Sequence, residues 1–509
     1  DGITEEILNA LAQVPDLKVA GRTSSFAFKG RNEDLRAIGE ALGVNHILEG
    51  SVRKAGNQVR ITAQLIKADD GFHLWSETFD RELTDIFAIQ DEIAAAILEQ
   101  LETQLAVGSS IDVAEVDLAV YDQYLKARQL MRGRAEQDLQ QASGLLDQVI
   151  AQDADYAPAL AQRAIVELML SDSFGHYGSI PFLEALDNAE GYAQRSLALD
   201  PNDPDALAVQ GSILQDRGEL ADGIALLERA LELSPNHTNA MNWLAGAYGD
   251  SGRFREQFEL RKQLFQVDPL YPPGVGNLMG EYLQRGELQE MQQLLDSVIP
   301  YLSGPSLNYV KAASAFGSMM QGREAEAIRQ IDALPPGERG WGEVAGAMGY
   351  ARLKEYERAL PYVEGQPLTV SILGRLGRTE EALQLGQALL AGGQGLGNTI
   401  GVLHEAGRHE EIISLVESRF DTPEDFVQQS GEGVPEVVYA YRVTGQDSKA
   451  VRTLALYRGE LEHELDEGRN NAFLSQALAH LAMLEGDPEQ ALDYLERAMD
   501  QGGIDDGNF

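Results

Sequence analysis

Apolar positions change their period along this chain. From Ile3 through Ile7, Leu8 and Leu11 they recur at helical spacing, and Leu17-Lys18-Val19-Ala20 predicts a short strand stopped at Gly21. Leu35, Ile38 and Leu42 mark a second helix, closed by Gly43. Between Asn45 and Asp80 the period drops to two. Asn45 to Arg53 and Gln58 to Lys67 predict antiparallel strands turning around Ala55-Gly56-Asn57, with Val59, Ile61, Ala63 and Leu65 alternating against Arg60, Thr62 and Gln64. A third strand, Phe72 to Asp80, follows the turn Asp69-Asp70-Gly71, and a long helix is expected from about Thr84 through Ile86, Ile89, Ile93, Ile97 and Leu101. Residues 1–105 therefore predict a small α/β domain, a three-strand meander with helices on one face.

From Ala119 to Phe509 the short period stays helical and a longer one appears above it. Pro201, Pro235 and Pro269 are 34 residues apart, as are Gly218, Gly252 and Gly286, and Tyr248 and Tyr282 keep the same interval. That is the tetratricopeptide period: two amphipathic helices per unit, the Gly in the turn between them, the Pro ending the second helix. Complete units are expected at 204–237, 238–271 and 272–305; 121–156 and 157–203 precede them, the latter with an insertion around Ser171 to Pro181. Downstream the interval drifts, but Gly322-Arg323-Glu324, Gly377-Arg378-Thr379, Gly407-Arg408-His409, Gly445-Gln446-Asp447 and Gly486-Asp487-Pro488 each separate two helical stripes. Leu368 to Ala391 and Leu396 to Phe420 look like degenerate units. The predicted fold is mostly α: the α/β domain over 1–105, a linker over 106–118, and an α-solenoid of about ten helical pairs over 119–509.

The amino-terminal motifs carry a resemblance. Asp1-Gly2-Ile3-Thr4-Glu5-Glu6-Ile7, Gly21-Arg22-Thr23-Ser24-Ser25-Phe26, Leu48-Glu49-Gly50-Ser51-Val52-Arg53 and Leu74-Trp75-Ser76-Glu77-Thr78-Phe79-Asp80-Arg81 stand in the order of the TolB-like amino-terminal domain, which they resemble over about 100 residues. In bacteria that domain often precedes tetratricopeptide repeats. The family's earlier strand with a Pro-Phe-type motif is missing, which implies a sheet without an edge strand or a protein that continues upstream. The resemblance also implies a setting, since similar chains follow a winged-helix DNA-binding domain, a nucleotide cyclase or a membrane helix in bacterial regulators.

Composition narrows the chemistry. The 509 residues hold 81 acidic and 40 basic side chains, a net charge of −41, and no cysteine. Thiolate metal sites, iron–sulfur clusters, disulfides and cysteine nucleophiles are excluded. So much negative charge repels polyanions, so neither nucleic acid nor an anionic membrane is expected as a direct partner. No stretch reaches the roughly 18 apolar residues of a membrane span. The start at Asp1, without Met, is expected of a processed product or a piece of a longer protein. Absence of Cys leans toward a periplasmic or extracellular compartment over the cytoplasm of a bacterium.

No catalytic constellation emerges. His404-Glu405 with His409 approaches the zinc helix His-Glu-x-x-His, but a separation of five residues on one helix sets the rings about 140° apart. Gly392-Gly393-Gln394-Gly395-Leu396-Gly397 lacks the preceding strand of a dinucleotide loop and reads as an interhelical linker. Asp200, Asp203 and Asp205 read as helix caps at a repeat junction. Arg53, Lys54, Arg60 and Lys67 read as a solvated strand edge. No catalytic residue, cofactor or metal ligand is expected.

The array offers a better site. First helices of stacked pairs line an inner face, where Asp205, Ala208, Ser212, Asn239, Asn242, Trp243, Gly246, Asn277 and Gly280 are expected. Of these, Asp205, Ser212, Asn239, Asn242, Trp243 and Asn277 are candidate partner-binding residues, with Trp243 either an anchor or core. Clamps for a terminal carboxylate resemble a two-Lys, two-Asn cradle; no Lys falls here, so chaperone-tail recognition is not expected. The sequence thus predicts a non-enzymatic scaffold or sensor module that binds protein or peptide partners or other copies of itself. The alternatives are the regulatory portion of a larger adenylate cyclase or winged-helix regulator, and a self-associating filament protein.

Overall fold

A computed structural model describes residues 17–31, 33–55, 58–82, 118–132, 134–172, 177–335 and 341–501, together with 4, 7, 8, 11, 93 and 96. Near the amino terminus lie two short helices, α1 (Arg22–Ala27) and α2 (Leu35–Leu42), then β1 (His46–Ala55), β2 (Gln58–Lys67) and β3 (His73–Glu82). The strands pair antiparallel in the order β1-β2-β3, with Arg53 opposite Arg60 and Arg60 opposite Asp80. Alternation decides the core: Val59, Ile61, Ala63 and Leu65 of β2 point to one face, where they bury against Ile7, Leu11, Phe79 and Ile93.

Leu17 to Ala20 forms no strand; it is an irregular lead into α1, whose N-cap is Gly21. The expected helix from Thr84 to Leu101 lies outside the described residues except at Ile93 and Ala96, both helical. Residues 106–117 of the expected linker also lie outside them.

The rest is helical hairpins. They comprise α3 (Leu118–Met131) and α4 (Glu136–Gln152), α5 (Ala157–Met169) and α6 (Phe182–Leu199), α7 (Pro204–Asp216) and α8 (Leu220–Leu233), α9 (Thr238–Asp250) and α10 (Phe254–Val267), α11 (Pro272–Arg285) and α12 (Leu288–Val298), and α13 (Gly304–Met320) and α14 (Glu324–Asp332). There follow α15 (Trp341–Arg352) and α16 (Tyr356–Ala359), α17 (Pro367–Arg375) and α18 (Thr379–Ala391), and α19 (Leu396–Glu405) and α20 (His409–Glu417). After the single short α21 (Pro423–Gln429) come α22 (Val434–Val443) and α23 (Asp447–Asp466), then α24 (Ala472–Glu485) and α25 (Pro488–Asp500). The chain forms two compact units, residues 1–278 with 294–307, and 279–293 with 308–509.

Burial explains why first and second helices differ. In α5 every residue from Ala159 to Leu168 is buried, because a first helix is enclosed by its partner and by first helices on either side. In α8 only Gly223, Leu227 and Ala230 are buried, the single stripe that faces its partner. The crossing of α7 and α8 is close: a Cβ on Gly211 would lie 2.7 Å from Leu227 Cγ and 2.9 Å from Gly223 O. The turn glycines take left-handed backbone, as Gly218 does at φ 82°, and in the 341–362 pair Lys354 occupies that place at φ 58°. Among the described residues no helix is long and apolar enough to cross a membrane.

Candidate partner-binding face

The first helices α5, α7 and α9 contact one another in succession, and the six candidate residues sit on this stack and on α11. Asp205, in the first turn of α7, accepts from Gln162 Nε2 of α5 at 2.7 Å and lies 2.9 Å from His237 Nε2. His237 caps α9 with Nδ1 accepting from the Ala240 N–H at 3.1 Å, which assigns the ring proton to Nε2 and makes it the donor to Asp205. Burial pushes the Asp205 carboxyl up. The His237 hydrogen bond, with the charges of Arg128 and Arg22 nearby, outweighs burial and holds it below the usual carboxylate range.

The asparagines continue this ladder. Asn239 Oδ1 accepts from Tyr271 Oη at 3.0 Å; Asn242 Oδ1 accepts from Asn277 Nδ2 at 2.8 Å and from Arg261 Nη1 at 3.3 Å. Trp243 is half-buried and packs against two apolar clusters, and Ser212 is buried. The structure therefore ties five of the six to other elements of the array: Asp205 to Gln162 of the preceding unit and to His237, Asn242 and Asn277 to each other across a repeat boundary, Asn239 to Tyr271 at the end of its own unit, and Trp243 to apolar residues of two clusters. Trp243 packs partly buried against both clusters and keeps some of its surface accessible.

A neighbouring contact was not visible in the sequence. The chain's own residues 21–31 seat on the array. Gly21 N–H donates to Val267 O at 2.5 Å, and the N–H groups of Thr23 and Ser24 donate to the Asp268 carboxylate at 3.2 and 2.7 Å. Ser24 Oγ donates to the same carboxylate while accepting from the Leu270 N–H at 2.7 Å. Asp268 thus serves as N-terminal cap for a helix 244 positions away in sequence. Arg132 covers the Phe26 ring at 3.9 Å, Phe28 meets Tyr301 at 5.2 Å, and Arg31 Nη2 donates to Tyr301 O at 2.9 Å. The only sequence signal is the small polar run Gly21-Arg22-Thr23-Ser24-Ser25, which has no apolar stripe to mark a helix.

Asp203 shows how charge is handled at the junction. Its Oδ1 accepts from the N–H groups of Asp205 and Ala206 at 2.9 and 3.1 Å, the capping role expected of it. Its Oδ2 lies 2.9 Å from Ser196 Oγ, which is also 2.9 Å from Ala157 O. One hydroxyl proton cannot serve both acceptors. Burial, followed by the Asp205 charge, pushes the Asp203 carboxyl up to about 6, and a proton on Oδ2 completes the network. With the folded value above the unfolded one, this group's contribution is present at low pH and lost as pH rises toward 6. Asp203→Asn supplies the missing donor at every pH and remains a good cap. It is expected to stabilise the protein at pH 7 by about 1–3 kcal/mol relative to the parent, with the advantage gone near pH 4. Urea unfolding of both proteins at the two pH values checks this; an equal difference at both would exclude it.

The remaining sequence candidates have structural placements. Gly395 is the left-handed N-cap of α19, so the Gly392 to Gly397 stretch joins two helices. Arg60 pairs with Asp80 at 2.6 Å and Lys67 with Asp69 at 2.9 Å, surface ion pairs of the sheet. His404 lies in the last turn of one helix and His409 begins the next, as the expected break at Gly407 requires. The chain turns at Gly407, φ 67°, and brings the rings to 5.7 Å, with Tyr439 at 5.2 and 5.4 Å. Among the described residues no three His, Asp or Glu side chains converge as a metal site.

Comparison with known proteins gives partial matches. No family model matches the chain. It is 38% identical over 208 residues to a protein of Rhizobium meliloti called "Putative adenylate cyclase 3", a match covering 40% of this chain and 35% of that protein. The chain therefore spans about a third of that relative's length. Among solved structures it is similar to PilW, described as a widely conserved type IV pilus biogenesis factor, at 17% identity and a TM-score of 0.31, over 43% of this chain and 92% of that one. A tetratricopeptide repeat protein from Parabacteroides merdae is 14% identical with a TM-score of 0.32, over 48% of this chain and 91% of that one.

Proposed function

We propose that this chain is a non-enzymatic interaction scaffold whose stacked first helices receive a protein or peptide. The observation that carries this reading is the continuous row of half-buried polar and aromatic side chains, Asp205, Asn239, Asn242, Trp243 and Asn277, on successive first helices. Each keeps part of its surface accessible after tying neighbouring repeats together, so a partner would meet a preorganised face. With a net charge of −41 the favoured partner is basic or polar, and charge would set its association rate more than its affinity. The resemblance of residues 1–105 to the TolB-like domain supports a bacterial setting for this module, and the absence of Cys favours a compartment outside the cytoplasm.

The test is capture of partners from lysate by the whole chain. Asn239→Lys puts a cation on the face against a basic partner, and Trp243→Ala removes the aromatic side chain. Both are expected to reduce partner recovery at least about tenfold while melting within a few degrees of the parent. Unchanged recovery with both variants would show the face is not the site.

A second reading rests on the Rhizobium meliloti relative. We infer from its name and from the partial coverage that the chain could serve as the regulatory portion of a longer protein with a cyclase effector. Sequencing the gene on the 5′ side of Asp1 decides: a cyclase or DNA-binding domain in frame supports it, and a leader peptide opposes it.

A further inference from the structure

The segment that seats on the array differs in charge from the chain that carries it. Residues 21–31 hold Arg22, Lys29 and Arg31 and no acidic side chain, in a protein of net charge −41. The array meets this segment position by position. Gly21 admits no side chain, since a Cβ there would lie 2.3 Å from Asp268 Cβ. Ser24 gives both its N–H and its hydroxyl to Asp268, Phe26 lies under Arg132, and Phe28 is buried against Tyr301, whose carbonyl accepts from Arg31. The segment also abuts the candidate face. Arg22 is close enough to help hold the Asp205 carboxyl down, and Leu270, bonded to Ser24, is followed by Tyr271, which donates to Asn239.

The array side of this contact is built to open. Pro201 and Pro269 stand two repeat periods apart, so Asp268 corresponds to Asp200 and Leu270 to Asn202. Asp200 is exposed and closes its own turn, its Oδ1 accepting from the Asn202 N–H at 2.9 Å. At the later junction the Asp268 carboxylate turns instead to Thr23 and Ser24, and the Leu270 N–H goes to Ser24 Oγ at 2.7 Å. Ser24 therefore stands in for the repeat's own carboxylate. When the segment leaves, Asp268 can take the Leu270 N–H as Asp200 takes that of Asn202, so departure orphans neither group of the array.

We propose that residues 21–31 are the resident occupant of a peptide site built from Asp268, Leu270, Tyr301 and Arg132, and that the partner displacing them presents a segment of the same chemistry. That segment is basic, with a glycine three positions before a serine and aromatic residues two and four positions after it. Its positive charge is drawn to the acidic chain, and the glycine and serine set its register on Asp268. The tether lends the resident an effective concentration of about a millimolar or less, so a partner that binds in the micromolar range displaces it. The inference rests on the scaffold reading only in taking the natural occupant to be a protein.

The probe is a peptide of residues 21–31, acetylated at Gly21 and carrying a fluorophore after Arg31, titrated with the whole chain by fluorescence anisotropy. Chains carrying Ser24→Glu, which sets a carboxylate against Asp268, or Gly21→Ala, which sets a Cβ there, are expected to release their own segment. Both are expected to bind the peptide saturably in the micromolar range, and the parent at least about tenfold more weakly because its site is filled. Adding Asp268→Ala to either chain, or Gly21→Ala to the peptide, is expected to weaken binding at least about tenfold. A peptide of the same residues in shuffled order keeps the charge and is also expected to bind at least about tenfold more weakly. Residues 21–31 still protected from hydrogen exchange in both variant chains, no saturation of either up to about 1 mM, equal binding by the parent, or equal binding of the shuffled peptide would each overturn the proposal. No lysate partner enters this assay, so it can fail while partner capture succeeds, and the reverse.

Discussion

Replacing Asp268 with Ala is expected to free residues 21–31 from the array and raise their amide exchange about 100- to 1000-fold, with the helix content of the array unchanged. The carboxylate takes three donors at once, the Thr23 and Ser24 N–H groups and the Ser24 hydroxyl, inside a contact where Ser24 is 0% and Asp268 2% exposed. Truncation to Ala leaves those donors buried and unpaired, at about 1–3 kcal/mol each, against a contact that holds only a short helix and two aromatic rings. Undocking is therefore cheaper than keeping the donors dry. Asp268→Asn retains an acceptor for Ser24 and should lie between the two. Gly21→Ala is an independent route to the same result, because its Cβ would lie 2.3 Å from Asp268 Cβ. Hydrogen exchange by mass spectrometry reads all three; protection of residues 21–31 unchanged in Asp268→Ala would refute the capping role.

Arg163→Leu should have the larger effect on global stability, a loss of about 3–5 kcal/mol. Arg163 and Glu167 are one turn apart on α5, a helix buried over ten successive residues, so removal of the guanidinium leaves a carboxylate enclosed with no cation. Asp147 at the other end of the pair has a side chain 51% exposed and can turn to water. The asymmetry predicts the rescue. Arg163→Leu with Glu167→Leu removes both charges and should recover most of the loss, whereas Asp147→Ala should cost about 1 kcal/mol or less. Chemical unfolding of the parent, Arg163→Leu, Glu167→Leu and the double variant closes the cycle, with Asp147→Ala beside it, and a double variant no more stable than Arg163→Leu would show that packing around Tyr192, and not charge, sets the cost.

How much of this was legible depended on whether a residue's reason lay near it in sequence. Gly218, Gly252 and Gly286 announce their turns because a left-handed residue is a local requirement, and the alternation of Val59, Ile61, Ala63 and Leu65 announces a strand because the pleat is local too. The pair at 341–362 escaped the count of repeats because Lys354 took the left-handed position, at a strain of about 1–2 kcal/mol, and erased the glycine mark. Nothing in the sequence marks α1, which follows the strand expected at Leu17 to Ala20: it has six residues, no apolar stripe, and a cap supplied by Asp268. On the candidate face, spacing placed Asp205, Asn239, Asn242 and Asn277 on first helices. It could not show that their amides and carboxylates would bond across repeats, because those partners, Gln162, His237, Tyr271 and Arg261, belong to other helices or caps. The turn between His404 and His409 was marked by Gly407, but the 5.7 Å approach of the two rings depends on the path of the chain through that turn, which spacing does not give.

The Ser24–Asp268 contact also carries a schedule. Closing a loop of 244 residues costs about 5 kcal/mol in chain entropy, whereas a hairpin such as α7–α8 closes over a few residues. The hairpins can form as each is synthesised, and the clasp can form only after α10 and Asp268 exist. At about 5–20 residues per second, residues 21–31 emerge from the ribosome roughly 12–50 s before Asp268 does. Through that interval their unpaired N–H groups and Phe26 and Phe28 stand open to chaperones and proteases, so variants that weaken the clasp should lower yield in the cell before they lower the melting temperature of purified protein.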